Sequence, residues 1–211
     1  MPDLPTLLAF SVAALALIVI PGPSVLYIVA RSLHQGRRAG LVSALGVQTG
    51  GLVHVLAATL GVSALVLSSA LLFSVLKWAG AAYLIVLGLR TLRAPTPDAL
   101  TVTVPDAPPL TRIYRQGAVV NALNPKTALF FLAFLPQFVH PGHGPVWAQT
   151  LTLGLVFLDL ATVSDGAYAL LAGSLGRRWQ GSRTFARRQQ QVSGGVHLAL
   201  GVGTALIPHG S

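Results

Sequence analysis

The chain of 211 residues contains no cysteine. Disulfides, thiolate metal sites, thiol relays and cysteine nucleophiles are excluded together. Charge is nearly as scarce, at 9% of residues, where an average soluble domain carries about 25%. Acidic residues number 5 and basic ones 14, for a formal net charge of +9. With 53% hydrophobic residues and a mean hydropathy of +0.70, too little polar surface remains for a soluble globule. The same shortage argues against a nucleic-acid partner, because the basic residues have no polar face to sit on. The expected class is an all-α, polytopic membrane protein.

Uncharged runs mark the crossings. The 27 residues between Asp3 and Arg31 have no formal charge, enough to span a hydrocarbon core of about 30 Å, and the first crossing is read as 5–30. A cleaved signal peptide wants a basic start and an apolar stretch of about 7 to 15 residues. This segment instead begins Met1-Pro2-Asp3 and holds Pro21-Gly22-Pro23. From Ala39 to Leu89, 51 residues carry only Lys77, which predicts two crossings hinged near Ser68-Ser69. Gln116 to Val139, Val146 to Leu175 and Val192 to Ile207 supply the fourth, fifth and sixth. Pro95, Pro97, Pro105, Pro108 and Pro109 make the middle connection stiff and non-helical. The organisation is a single transmembrane domain, with repeat one at 1–93, a proline-rich cytoplasmic linker at 94–110 and repeat two at 111–211.

Six crossings place the first, third and fifth connections on one side. Those connections hold 12 of the 14 basic residues, all arginine, from Arg31 to Arg188. The positive-inside rule makes that side cytoplasmic and both termini periplasmic. The halves also echo each other: Pro21-Gly22-Pro23-Ser24-Val25-Leu26-Tyr27 matches Asn124-Pro125-Lys126-Thr127-Ala128-Leu129-Phe130, and Gly80 to Leu84 matches Gly194 to Leu198. Three crossings per half make the repeats inverted, as in many secondary transporters. Pro21 lies 10 residues before Arg31 and Pro125 lies 10 residues after Arg115, so both breaks sit about 12 to 15 Å from the cytoplasmic end, near the midplane. Proline lacks an N–H, so the carbonyls four residues earlier, on Leu17, Val19 and Asn121, lose their helical partners and need protein or water in exchange.

These pieces resemble the LysE/RhtB family of amino-acid exporters. The resemblance covers nearly the whole chain. It rests on Pro21-Gly22-Pro23, on Leu45-Gly46-Val47-Gln48-Thr49-Gly50 through His54, on Leu76 to Leu84, and on Asn121-Ala122-Leu123-Asn124-Pro125-Lys126 followed by Pro136-Gln137-Phe138. It implies a multi-pass protein of the bacterial inner membrane that exports amino acids or close derivatives by proton antiport, with no cofactor. Asp159 matches the family's pattern, whereas Asp165 in Ser164-Asp165-Gly166 departs from it.

Lys126 and Asp159 both fall near mid-depth by residue count. A charge there costs about 2.5 to 3.5 kcal/mol on insertion scales, so it pairs or faces water. Two readings follow: a structural ion pair between the fourth and fifth crossings, or a pathway-lining pair. In the second, Lys126 holds the substrate carboxylate with help from Asn121 and Asn124. Asp159 then faces the substrate ammonium or takes up the counter-moving proton. The breaks at Pro21, Gly22, Pro23 and Pro125 shape this pathway, and Gln48 is a candidate for its wall. Asp165 lies about 240° around the helix from Asp159, which predicts a different environment, and Lys77 and His54 read as snorkelling and packing residues. Two histidines, His140 and His143, make too small a set for a metal site. Gly46 and Gly50 allow close helix approach, by default within one protomer, with a homodimer seam as the alternative. Arg177 to Arg188 could also meet anionic lipid head groups. The rival functions are export of metal or other cations, which Lys126 would oppose, and a membrane enzyme or electron carrier, which the lack of cysteine disfavours.

Overall fold

The computed structural model describes residues 1–68 and 108–179, with Trp78, Ala82, Ile85, Val86, Leu89, Arg90, Leu92, Arg93, Arg187, Gln191, Leu198 and Val202. Lys77, the 94–107 part of the linker, most of the expected third crossing and most of the sixth lie outside the described residues. So do the second members of the repeat match, Gly80 to Leu84 and Gly194 to Leu198, apart from Ala82 and Leu198.

The described residues contain helices and turns and no strand. α1 is Leu4–Ile18, capped by Asp3, whose carboxylate accepts the Thr6 N–H at 2.9 Å. It stops short of Pro21, as a helix must when its next turn would need a proline N–H. α2 is Pro23–Ser68, interrupted at Gly36 with φ 84° and ψ 174°. There the chain turns back, so that Ser32 lies against Gly40 and Ile28 packs with Ala44 and Val47. α3 is Leu110–Ala122, and α4 is Pro125–Leu129, continued by a π turn Phe130–Phe134 and a 3-10 turn Leu135–Phe138. α5 is Val146–Trp179. The expected single crossing over 5–30 is thus two helices, because the proline break separates them completely.

Burial is arranged for lipid. In the second arm of α2 the inward side holds Ser43, Ala44, Gly50, Gly51, His54 and Ala58, whereas Leu41, Leu45, Leu52, Leu56 and Leu60 are exposed. Small residues inside and leucines outside would leave a large apolar patch in water, and they suit helices that approach closely in a bilayer. Pro23–Gly61 and Val146–Ser174 are long and apolar enough to cross a membrane, and Leu110–Ala122 with Pro125–Phe138, bent by 42°, forms a third candidate span. The first arm of α2 ends near Arg31 and Arg37; Arg37 donates to Ser174 Oγ on α5 at 2.7 Å, and Arg31 donates to Gln116 on α3 at 3.0 Å. The amino terminus donates to His143 O at 2.6 Å. Arg31 and Arg37 therefore meet α3 and α5 at one end, and the amino terminus joins the α4–α5 connection at the other.

Gly36 is a direct test of the reversal. Its φ and ψ lie in a region essentially reserved for glycine, at a cost of about 1 to 3 kcal/mol for other residues. No neighbour lies within 4 Å of a Cβ placed there, so Gly36→Ala exposes the backbone cost alone. We expect its melting temperature to fall by about 5 °C, read by thermal unfolding of the purified protein.

Candidate functional site

The two proline breaks meet. Pro23 opens α2 and Pro125 opens α4, each at a first turn where its missing N–H is no loss. Between them runs Lys126, buried at 7% exposure, whose ammonium donates to Leu17 O at 2.8 Å and Ile20 O at 2.6 Å. Leu17 O lies in the last turn of α1 and Ile20 O just beyond it, where the helix dipole is negative and a cation is favoured. The remaining carbonyls freed by proline are also taken up. Tyr168 on α5 donates its hydroxyl to Val19 O at 2.7 Å, and His54 Nε2 lies 2.7 Å from Asn121 O while its ring stacks on Phe131. Three elements thus supply one polar side chain each to the three carbonyls named from the sequence.

A buried amide and hydroxyl cluster ties the two breaks together. Ser24 Oγ donates to Asn121 Oδ1 at 3.0 Å, Asn124 Nδ2 donates to Ser24 Oγ at 2.9 Å, and Thr127 Oγ1 donates to the same Asn121 oxygen at 3.2 Å. Asn121 Nδ2 donates in turn to Val47 O at 2.8 Å, and the Asn124 carboxamide caps α4 by accepting the Lys126 N–H at 3.1 Å. Such groups are stable in an apolar interior only because each finds a partner.

Beside the cluster lies a cavity of about 50 Å³, lined among others by Gly22, Gln48, Asn121, Asn124, Lys126 and Asp165. Pro21, Pro23 and Pro125 are not among the residues that line it. Room of this size suits one or two waters and is too small for an amino acid. The acid that faces it is Asp165, 4% exposed, whose Oδ2 accepts from Gln48 Nε2 at 2.9 Å. Asp159 is exposed and does not line the cavity, so the expected Lys126–Asp159 pair does not form. The physical reason is the helix period: Phe157, Leu158, Ala161 and Asp165 share the inward stripe of α5, and Asp159 falls between its ridges. Gln48 Oε1, buried, has no hydrogen-bond partner among the described residues.

Aromatic side chains lie toward both ends of the bundle. Toward the amino terminus, Phe157 joins Phe10, Phe130, Phe131, Phe134 and Phe138 in a cluster whose contacting rings lie 5.0 to 6.0 Å apart. Toward the arginine end, Tyr27 donates to Ile113 O at 2.8 Å under the Arg31 guanidinium, 5.2 Å from its ring centre. Ser24, Thr127 and Tyr168 were not singled out from the sequence. Ser24 and Thr127 do sit inside the matched repeat motifs, which was the available signal.

Apolar helices broken in the interior, with buried charges gathered at the breaks, define a membrane transport protein. The chain belongs to the LysE type translocator family, whose profile matches residues 15–207. It is 35% identical over 164 residues to the homoserine/homoserine lactone efflux protein of Salmonella typhimurium, covering 78% of this chain and 79% of that one. It is 30% identical over 200 residues to a membrane protein of Vibrio cholerae, covering 95% and 96%. It is 29% identical over 209 residues to the membrane protein YrhP of Bacillus subtilis, covering 95% and 99%. No solved structure matches it.

Proposed function

We infer that the protein is a secondary active exporter in the bacterial inner membrane, moving amino acids or close derivatives such as homoserine out of the cytoplasm against inward proton flow. The observation that carries this reading is the shared cavity: one cation, Lys126, and one anion, Asp165, at the meeting of two broken helices. An ammonium has three N–H donors, and two go to Leu17 and Ile20. The third is available to a substrate carboxylate, assisted by the Asn121 and Asn124 amides. Asp165 and the unsatisfied Gln48 oxygen accept the substrate ammonium. A proton reaching Asp165 competes with that ammonium, so substrate and proton use one carboxylate in turn. Asp159, away from the cavity, is left out of this cycle. Because the cavity is smaller than the cargo, loading requires the site to widen, and alternating access follows if it opens to each side in turn.

The same reading takes the described spans as part of six, arranged as two inverted repeats, with the arginine end cytoplasmic and the termini periplasmic. A metal cargo fits less well, since the Lys126 ammonium would repel it. The test is reconstitution in vesicles with an imposed proton gradient and labelled homoserine and a mixed amino-acid pool. Export that follows the gradient supports the reading; no amino acid moving under any gradient overturns it. Unwound carbonyls coordinate sodium in some transporters, but here Lys126 already covers them. Replacing sodium by choline is therefore expected to leave the export rate unchanged, as measured by initial rates in the same vesicles.

A further inference from the structure

The end of α1 has the features of a receptor. Leu17 O and Ile20 O converge on one nitrogen at 2.8 and 2.6 Å, at the negative end of a 15-residue helix. Gly22 walls the approach: a Cβ there would lie 3.0 Å from Lys126 Cδ and 3.5 Å from its Nζ. The missing side chain at Gly22 thus leaves room for an alkyl stem on that side. Val19 O between them is already held by Tyr168, so among the described residues Leu17 O and Ile20 O are the two oxygens that hold the ammonium. Two acceptors and a dipole select a group with several N–H donors and a positive charge, a primary ammonium.

We propose that the broken end of α1 is a binding site for a primary alkylammonium, and that Lys126 occupies it from α4 as the pin that positions α1 against the second break. Lys126 is then a positioning residue whether or not it also meets the cargo. The claim concerns how the two breaks are held, so it stands or falls separately from the transport reading.

Lys126→Ala removes three methylenes and the ammonium, the equivalent of n-propylammonium. Purified Lys126→Ala protein is expected to melt about 5 °C below the parent, and n-propylammonium at tens of millimolar is expected to restore more than half of that loss. n-Propanol, which fills the space without charge, and tetramethylammonium, which has charge without N–H donors, are expected to restore little. The unsubstituted protein, whose site is filled, is expected not to respond. Recovery absent with n-propylammonium, or equal with either control compound, would overturn the proposal. Should Lys126→Ala not yield folded protein, Lys126→Gln and Lys126→Met are compared instead. The glutamine amide still donates to the carbonyls and methionine does not, so Gln is expected to melt well above Met, and equal melting overturns the proposal.

Discussion

Asp165→Asn is expected to lower gradient-driven export of homoserine about 100-fold, while Asp159→Asn stays within about twofold of the parent. The difference follows from placement. Asp165 is buried, bonded to Gln48 and shares the cavity with Lys126, whereas Asp159 is exposed on the same helix. A charged hydrogen bond to a buried partner is worth up to about 3 kcal/mol, which corresponds to about a hundredfold in rate or affinity. Asparagine keeps the size of the side chain and one acceptor, so Gln48 retains a partner and the packing of α5 is preserved. Initial rates in vesicles, normalised to inserted protein, separate the two variants. The opposite ranking would return the role to Asp159 and remove Asp165 from the cycle.

By residue count Asp159 falls near mid-depth, but α5 has 34 residues, about 51 Å of helix, and its ends do not mark the edges of a bilayer. Counting residues along such a helix gives a level only loosely and gives no face at all. The face was nevertheless written in the order of the residues. Leu153, Phe157, Ala161, Asp165 and Ala169 recur every four positions with Leu158 beside them, all buried, and Asp165 lies on that stripe. The family resemblance points to Asp159, whereas the stripe points to Asp165.

The breaks were more legible, because proline acts through a missing atom. Pro21, Pro23 and Pro125 name the carbonyls they free by simple offset, and Leu17, Val19 and Asn121 all prove to have side-chain partners. What no offset could supply was the identity of those partners. Lys126, Tyr168 and His54 come from other helices, and they meet the breaks only through packing. The reversal at Gly36 was legible as a cluster of arginines between two apolar runs, but the backbone angles that make it sharp were not. The π turn at Phe130–Phe134 had no signal either, since a run of aromatic residues reads as ordinary helix.

Gly50→Ala is expected to destabilise the protein by about 3 kcal/mol or more, and Gly50→Leu to yield no folded protein. A Cβ at Gly50 would fall 2.2 Å from Ala118 O and 2.8 Å from Ala122 N; one at Gly46 would fall 2.1 Å from Tyr114 O. Overpacking of side chains costs about 1 to 3 kcal/mol because rotamers can shift. Here the obstacle is the backbone of α3, so the whole helix must move. Facing glycine from the other side, a Cβ at Gly117 would meet Ser43 O at 2.7 Å, so the seam is tight along both helices. This close approach is also what brings Asn121 to Val47 O at 2.8 Å and His54 to Asn121 O at 2.7 Å. The glycines are therefore occupied within the protomer and unavailable to a dimer seam. Moving α3 by the width of a methyl group would pull Asn121 from the cluster that joins the two breaks. Export by any folded Gly50→Ala protein should accordingly fall further than its melting temperature suggests. Gly61→Ala, on the same helix with no neighbour among the described residues within 4 Å of its Cβ, is the matched control and should leave both stability and export at parental levels. Equal behaviour of the two variants in thermal unfolding and vesicle transport would show that the α2–α3 seam does not position the site.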